Sequence, residues 1–286
     1  MVDATIDGGD LASAILDVIG PTGLLVGIDR DPKALDHARR RLAGDPRVRL
    51  VHCDFGRLAS GPLDLAMGSV EAVVFDLGLS SLQLDDPQRG FSFRFDGPLD
   101  MRFDQTRGVT AAELVNQLSE EHLAGLIRTW GEERWAAAIA RALVRRRHSR
   151  PVVSSAELAE IVSGAIPRSA WPRRIHPATK TFQALRMEVN QEIDSLRSGL
   201  GSAIQLLSSG GRLAVIAFHS IEDRVVKDFM RTESKDCLCP PGQPICTCRH
   251  RASLRRLGRR PLVAGLEEVS VNPRSRSARL RLAERI

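Results

Sequence analysis

The chain has 286 residues, of which 43% are hydrophobic, and its formal net charge is +6. A chain of this length can bury a sizeable core in one large domain or two modest ones. Its apolar runs are shorter than the roughly 18–20 residues that a membrane span needs, and no basic leader followed by an apolar block opens the sequence. Composition therefore argues against a membrane or exported protein and favours a cytoplasmic one.

The first half of the chain alternates short apolar runs with amphipathic segments, a pattern typical of a parallel α/β sheet. Asp31 and Pro32 form a favourable helix start, with Asp as N-cap and Pro at the first helical position. Two of the strands end in an acid, Asp29 and Asp76, and open α/β sheets bind ligands at that edge. The predicted strands cover residues 24–28, 48–51 and 70–75. The predicted helices cover residues 11–19 and 32–43.

Helical periodicity dominates from about residue 106 to residue 198, so we predict an inserted helical domain. A strand of the first type returns at residues 212–218. The final segment, 278–283, alternates apolar and basic residues and is predicted to form an edge strand. The predicted domains are a first sheet part, an inserted helical domain, and a second sheet part with a basic C-terminal segment, covering residues 1–104, 105–190 and 191–286.

The turn at residues 7–10, followed by a helix and a strand ending in Asp29, is typical of a nucleoside-binding unit. The G-x-G-x-x-G spacing of dinucleotide folds is missing, and Asp7 and Asp10 would repel a pyrophosphate. S-adenosylmethionine has no phosphate and carries two cationic groups, so the turn favours it over NAD. Asp54 and Phe55 suit an adenine, as a hydrogen-bond acceptor and a stacking ring, although Phe55 is equally consistent with a core aromatic.

Basic residues cluster in several places, and the cluster at 249–260 has no acids nearby. We interpret that segment as a nucleic-acid contact, whereas the run at 39–41 fits a solvated helix face. Isolated Cys53 is predicted to be a small core residue. The other four cysteines form two C-x-C pairs between residues 237 and 248. These four are compatible with a structural zinc or with a reduced, metal-free loop, and we assign no metal ligand from the sequence.

Long, ordered motifs across nearly the whole chain resemble those of the 16S rRNA cytosine-N4 methyltransferase family, also called MraW or RsmH. These motifs are DLGLSSLQLDD at 76–86, RGFSF at 89–93, DGPLDMR at 96–102, WGEER at 130–134, HPATKTFQALR at 176–186, FHSIEDR at 218–224 and NPRSRS at 272–277.

The resemblance implies a class I S-adenosylmethionine-dependent methyltransferase, a Rossmann-like α/β sheet with an inserted all-helical domain. It further implies a cytoplasmic enzyme that methylates the N4 amino group of a P-site cytidine in 16S rRNA of the small ribosomal subunit. Oligomeric state does not follow from it. The cofactor-binding residues carried over onto this sequence are Gly9, Asp10, Leu11, Asp29, Phe55, Asp76 and Gln83.

The sequence departs from the family at two points. The family turn reads Gly-x-Gly-Gly-His, whereas Asp7, Asp10 and Leu11 replace two glycines and the histidine here. A side chain at Asp10 is expected to hinder close approach of a cofactor. Only Met1 and Val2 precede Asp3, and we expect so short a first strand to pair poorly. We expect either that the true start lies upstream or that this copy is shortened.

These departures keep a second interpretation open, a catalytically impaired paralogue that binds rRNA or assists ribosome assembly. Within the enzymatic interpretation, we predict that Asp76 is the catalytic acceptor of hydrogen bonds from the cytosine amino group, with a loop cap as the alternative. His219 and Ser220 are predicted to line the pocket or cap a helix, because no nucleophile elbow surrounds the serine. Arg186, Lys180 and His176 are candidate phosphate contacts, and Arg186 has Glu188 and Glu192 as alternative partners.

Overall fold

The computed structural model describes residues 1–243 and 245–286. The chain packs into two compact units. The first comprises Met1–Gly78 and Ile193–Ile286 and is called the sheet unit here; the second comprises Leu79–Glu192 and is called the helical unit. The domain boundaries at 104/105 and 190/191 stay a prediction, and the compact units divide the chain at other points. None of the described helices is long and apolar enough to cross a membrane.

The described residues form eight strands and eleven α-helices. The strands are β1 (Val2–Asp3), β2 (Leu25–Asp29), β3 (Val48–His52), β4 (Val70–Asp76), β5 (Leu207–Ala217), β6 (Leu254–Arg256), β7 (Leu262–Val263) and β8 (Arg279–Arg285). The helices are α1 (Asp10–Val18), α2 (Pro32–Arg41), α3 (Ser81–Asp85), α4 (Ala111–Gln117), α5 (Glu120–Gly131), α6 (Ala136–Ser149), α7 (Ser155–Ala165), α8 (Thr179–Asn190), α9 (Glu192–Leu206), α10 (Ser220–Thr232) and α11 (Leu266–Val271).

The strands form one sheet in the order β3-β2-β1-β4-β5-β8-β6, with β7 also paired to β8. The first five strands are parallel and β8 runs antiparallel to β5. The order reverses beside β1, which makes the space between β1 and β4 a topological switch point. This arrangement confirms the predicted Rossmann-like α/β class. The prediction that the last strand lies at an edge is wrong, because β6 and β7 pair with the free side of β8.

The short first strand pairs well, contrary to the expectation from its length. Val2 is in register with Val26 of β2 on one side and Val73 of β4 on the other. Hydrogen bonding continues past the strand, since the Ala4 N–H donates to the Val74 carbonyl and the Ile6 N–H donates to the Ile28 carbonyl. Neighbouring strands on both sides therefore hold in place a segment that could not form a stable pair alone.

Successive side chains along a strand point to opposite faces of the sheet, so the sheet unit has two separate cores. Val26 and Ile28 of β2 join one core with residues of α9 and α10, whereas Leu25 joins the other with α1 and α2. Helix α2 begins as predicted, because the Asp31 side chain accepts a hydrogen bond from the Lys33 N–H and Pro32 occupies the first turn. The parallel strands are thus covered on both faces, as their near-continuous apolar sequences require.

The helical unit has its own core, built from α4 to α8, and this agrees with the predicted helical periodicity. Asn190, at the end of α8, is buried there and fastens the loop before α4. Its Oδ1 accepts from the Phe103 N–H at 2.8 Å, and its Nδ2 donates to the carbonyls of Met101 at 2.7 Å and Arg186 at 2.9 Å. One side chain therefore satisfies three buried backbone groups.

Replacing Asn190 with alanine is expected to lower the free energy of unfolding of the helical unit by about 2–4 kcal/mol, because buried backbone groups lose their partners. All three tryptophans, Trp130, Trp135 and Trp171, lie in this unit. Urea denaturation followed by tryptophan fluorescence therefore reports on it selectively. Gln117→Ala, at an exposed position of α4, is the control and should change stability little. Equal effects of the two substitutions would contradict this role for Asn190.

Candidate active site

Four aspartates gather where the parallel strands β1, β2 and β4 approach their carboxyl ends. Asp3 belongs to β1, Asp7 follows it, Asp29 ends β2 and Asp76 ends β4. Asp3 is fully buried, while Asp7, Asp29 and Asp76 retain partial exposure. Burial raises the pKa of Asp3 and of Asp7, and the charges of the neighbouring carboxylates add to the rise. The switch point of the sheet thus holds a cluster of acids of which three are partly exposed, and this cluster is called the acidic pocket below.

Asp29 organises the backbone around this pocket. Its Oδ2 accepts from the Asp7 N–H at 3.1 Å and its Oδ1 accepts from the Asp31 N–H at 2.8 Å. Burial, opposed by these hydrogen bonds, raises the pKa of Asp29 to about 6. A third backbone N–H, that of Arg30, also donates to this carboxylate, so one of its roughly four acceptor positions is left for a ribose hydroxyl.

Asp76 is positioned by its backbone and carries an unused acceptor. Its N–H donates to Thr5 Oγ1 at 2.7 Å, which ties the end of β4 to the segment after β1. Its Oδ1 is buried and has no hydrogen-bond partner among the described residues. Burial, with a contribution from the charge of Glu222, raises the pKa of Asp76 to about 6. An unsatisfied buried carboxylate oxygen is costly, and it fits a group kept free for a ligand.

The altered turn folds against α2. Gly9 has φ +86°, and a Cβ there would lie 3.4 Å from Ala38 Cα and from Leu42 Cδ1, so this glycine serves backbone conformation and helix approach. Asp10 begins α1 and its exposed carboxylate pairs with Arg41 of α2 at 2.5 Å. Leu11 packs at the margin of the core formed by α1 and α2. Cofactor contacts by these three residues stay a prediction.

Phe55 is half-buried and meets Phe75 edge-on, with ring centroids 5.6 Å apart. It therefore contributes to the core, and its contact with adenine stays a prediction. Asp54, expected to accept from the adenine amino group, is engaged by other partners. Its Oδ1 accepts from the Gly56 N–H at 2.8 Å, and its Oδ2 accepts from the Ser195 hydroxyl at 3.1 Å.

Gln83 belongs to the helical unit and not to the sheet unit that holds the other predicted site residues. It is buried and completes the capping box of α3, where its Oε1 accepts from the Ser80 N–H at 3.2 Å and its own N–H donates to the Ser80 hydroxyl at 3.3 Å. The structure thus gives Gln83 a structural task, and its predicted cofactor contact is untested.

His219 caps a helix, one of the two roles predicted for it. Its Nδ1 accepts from the Glu222 N–H at 3.3 Å at the start of α10. The Glu222 carboxylate accepts from the Phe218 and His219 N–H groups in return and is buried. The charge of Glu222 contributes to the raised pKa of Asp76. Glu222 is therefore an acidic residue of this candidate site that was not predicted from the sequence.

Asp3 was also missed. It lies inside a two-residue strand, where alternation gives no reliable direction for its side chain. The available indication was its position. Strand β1 lies inside the sheet beside the switch point, and an acid in such a strand does not contribute to the apolar core. Burial raises the pKa of Asp3 to about 7, with Asp76 and Asp29 adding to the effect.

The family of the chain follows from comparison with known proteins. The sequence profile of the MraW methylase family matches residues 1–286. The chain belongs to the MraW methylase family. It is therefore a methyltransferase, and its methyl donor is S-adenosylmethionine.

Several relatives align with this MraW-family chain along its full length. A ribosomal RNA small subunit methyltransferase H from Syntrophotalea carbinolica is 49% identical over 286 residues, covering 100% of this chain and 91% of that protein. A protein of the same name from Thermomicrobium roseum is 51% identical over 288 residues, covering 100% and 87%. Among solved structures, an rRNA methylase from Streptococcus thermophilus is similar with a TM-score of 0.42 and 11% identity, covering 100% and 85%.

The acidic pocket predicts how the stability of this MraW-family protein depends on pH. Because the folded state raises the pKa of Asp3 from 3.8 to about 7, folding favours the protonated form, and the contribution of Asp3 to stability is lost as pH rises through that interval. Asp3→Asn keeps an acceptor for the Thr5 N–H and removes the charge. Relative to the unsubstituted protein, the variant should gain about 1–4 kcal/mol between pH 4 and pH 7.

The measurement is the free energy of unfolding against pH, without ligand. Asp17→Asn, on the exposed side of α1, is the matched control and should show no such gain. A difference between Asp3→Asn and the unsubstituted protein that stays constant from pH 4 to pH 7 would show that Asp3 is not held in a charge-repelling environment.

Proposed function

We propose that the protein transfers a methyl group from S-adenosylmethionine to the N4 amino group of a P-site cytidine in 16S rRNA, acting in the cytoplasm on the small ribosomal subunit. The observation that carries this proposal is the acidic pocket at the switch point, with its unsatisfied Asp76 oxygen. The names of the full-length relatives and the motifs shared with cytosine-N4 methyltransferases supply the substrate.

The residues of the pocket fit this cofactor by charge. S-adenosylmethionine has a sulfonium and an ammonium group and lacks a phosphate. Asp3, Asp7, Asp29 and Asp76 repel one another, and a cationic ligand relieves that repulsion. A dinucleotide would instead bring a pyrophosphate against Asp7, so the pocket disfavours the NAD-dependent alternative.

Asp76 is the proposed catalytic residue. The cofactor, when bound, supplies an electrophilic methyl group. The cytosine amino nitrogen is a poor nucleophile because its lone pair is delocalised into the ring. A hydrogen bond from this amino group to Asp76 Oδ1 would concentrate electron density on the nitrogen and hold it in line. With a pKa of about 6, the carboxylate is ionised at neutral pH and is a stronger proton acceptor than an ordinary aspartate.

Basic side chains of the sheet unit supply a surface for RNA phosphates. A groove beside β6 and β8 is lined by Lys227, Arg256 and Arg260, and the last two belong to the basic segment 249–260. Such residues contribute affinity for RNA because their binding to phosphates releases counterions. The target base would also have to leave its stack to reach the acidic pocket.

Of the residues proposed for phosphate contact in the helical unit, Arg186 has another role. It is buried and forms a bidentate pair with Glu192, with Nε–Oε1 at 2.7 Å and Nη2–Oε2 at 2.8 Å, so the predicted pairing with Glu192 is the correct alternative. His176 stacks on Phe93 with centroids 4.4 Å apart, and Lys180 donates to the Glu132 carbonyl. Lys180 remains exposed enough to reach a phosphate as well.

No finding favours a non-enzymatic ribosome-binding role. The exposed side chain of Asp10 forms an ion pair with Arg41, and Leu11 packs against the core. The altered turn is therefore still followed by a regular helix, α1.

Replacing Asp76 with asparagine is expected to lower kcat by about 100-fold or more, because the variant loses the negative charge that draws the amino proton. Transfer of radiolabelled methyl from S-adenosylmethionine to small subunits lacking the modification measures this directly. Asp17→Asn is the control. Activity at the unsubstituted level in Asp76→Asn would remove Asp76 from the mechanism.

The proposed substrate is tested in cells from which the endogenous methyltransferase gene has been deleted. Nucleoside mass spectrometry of 16S rRNA should detect N4-methylcytidine when this chain is restored and none when Asp76→Asn is restored. In vitro, the purified protein should be offered naked 16S rRNA and assembled small subunits side by side. Methylation of another base, or of neither RNA, would contradict the assignment.

A further inference from the structure

We propose that the loop between α10 and β6 binds one structural zinc ion through the thiolates of Cys237, Cys239, Cys246 and Cys248. This site lies outside the methyl-transfer pocket residues described above, and the proposal does not depend on the enzymatic assignment. Zinc takes four thiolate ligands in tetrahedral geometry in closed structural sites.

The sulfur atoms already lie where a tetrahedral ion would hold them. Sγ of Cys246 is 3.5 Å from that of Cys237, 4.0 Å from that of Cys239 and 3.6 Å from that of Cys248. Cys248 and Cys237 are 3.7 Å apart, and all four sulfurs lie within 4.8 Å of one another. Zinc–sulfur bonds of roughly 2.3 Å in a tetrahedron place the sulfurs about 3.8 Å apart. All four cysteines are free, so no disulfide accounts for the cluster.

Backbone N–H groups point at the sulfurs in a second layer of interactions. The Leu238 N–H lies 3.3 Å from Cys248 Sγ, the Cys239 N–H lies 3.4 Å from Cys237 Sγ, and the Thr247 N–H lies 3.4 Å from Cys239 Sγ. Such donors stabilise negative charge on thiolates and orient them toward a metal. The two C-x-C pairs are therefore folded around a common centre by their own backbone.

Hydrophobic burial cannot explain the order of this loop. None of the described residues from 237 to 249 is buried, and Leu238 and Ile245 are 43% and 75% exposed. Ordering each residue costs about 1–2 kcal/mol of backbone entropy, and the loop has no core to offset it. Zinc coordination supplies folding free energy to small segments of this kind.

The ion would also fix the start of the basic segment 249–260. The ends of the loop are held together, because the Ser253 and Leu254 N–H groups donate to the Glu233 carbonyl at 2.8 Å and 3.0 Å. Arg249 and Arg251 lie between the last cysteine and this clasp. A metal at the four cysteines would therefore restrain one end of the stretch that carries these arginines, and the hydrogen bonds to Glu233 restrain the other end.

Metal analysis of tag-free protein, purified without chelator, tests the proposal. We expect one zinc per chain in the unsubstituted protein and loss of it in the Cys246→Ser, Cys248→Ser double variant. Cys53→Ala, which alters a buried cysteine outside the loop, is the matched control and should retain zinc. Zinc far below one per chain in the unsubstituted protein, iron in its place, or undiminished zinc in the double variant would overturn the proposal.

A second measurement covers the case in which the double variant fails to fold. Unsubstituted protein, stripped of metal and loaded with cobalt(II), should show the absorption of tetrahedral cobalt thiolate. Tryptic cleavage after Arg249 and Arg251 should be faster in the stripped protein than after zinc is restored. Octahedral cobalt spectra, or cleavage rates that do not respond to zinc, would count against a four-thiolate site.

Discussion

The burial of four carboxyl groups close together at the carboxyl edge of the sheet, with repulsion among neighbouring acids added to it, is the constraint on which the candidate active site depends. Parallel strands β1, β2 and β4 deliver their final residues to one place, and in this chain those residues are acids. Their raised pKa values show that the fold opposes full ionisation, so the arrangement is unfavourable to the protein without its ligand. An arrangement that lowers stability is retained when function needs it, and a methyl donor with a sulfonium and an ammonium group, cationic overall despite its one carboxylate, gives that reason.

The same sheet unit separates its charges. Acids gather beside β1, in the middle of the sheet, whereas the basic segment 249–260 includes β6 at its far edge. An acidic pocket would repel the phosphates of an RNA substrate, so attraction has to be supplied elsewhere on the surface. In the proposed function, the groove lined by Lys227, Arg256 and Arg260 would provide such a surface.

Much of this fold could be predicted from the sequence, because strand and helix patterns are local. The parallel strands, the Asp31 cap of α2 and the helical insertion all followed from periodicity and capping residues. Two predictions were wrong, the poor pairing of β1 and the edge position of β8. Both failed because the pairing of a strand depends on its neighbours. The first strand is stabilised from both sides, and β8 became interior because three residues of β6, with no clear alternation of their own, pair with it.

For the candidate site, too, the features that depend on local sequence could be predicted and those that depend on tertiary contacts could not. Asp29 and Asp76 could be named as candidates because an acid after a buried strand occupies the ligand edge of the sheet. The involvement of Asp3 and Glu222 depends on tertiary packing, as do the pairing of Asp10 with Arg41 and the packing of Phe55 on Phe75. Spacing along the chain cannot reveal which partner a side chain will meet, so these outcomes required the structure.

The central claim is that the acidic pocket seats the cationic cofactor, and calorimetry tests it most directly. Titration of S-adenosylmethionine into the protein between pH 6 and 7, in two buffers of different ionisation enthalpy, measures affinity and proton exchange together. Because a cation lowers the raised pKa values of Asp3 and Asp76, binding should release protons, and S-adenosylhomocysteine, which lacks the sulfonium charge, should release fewer. Binding without proton release, or no measurable affinity, would contradict the account.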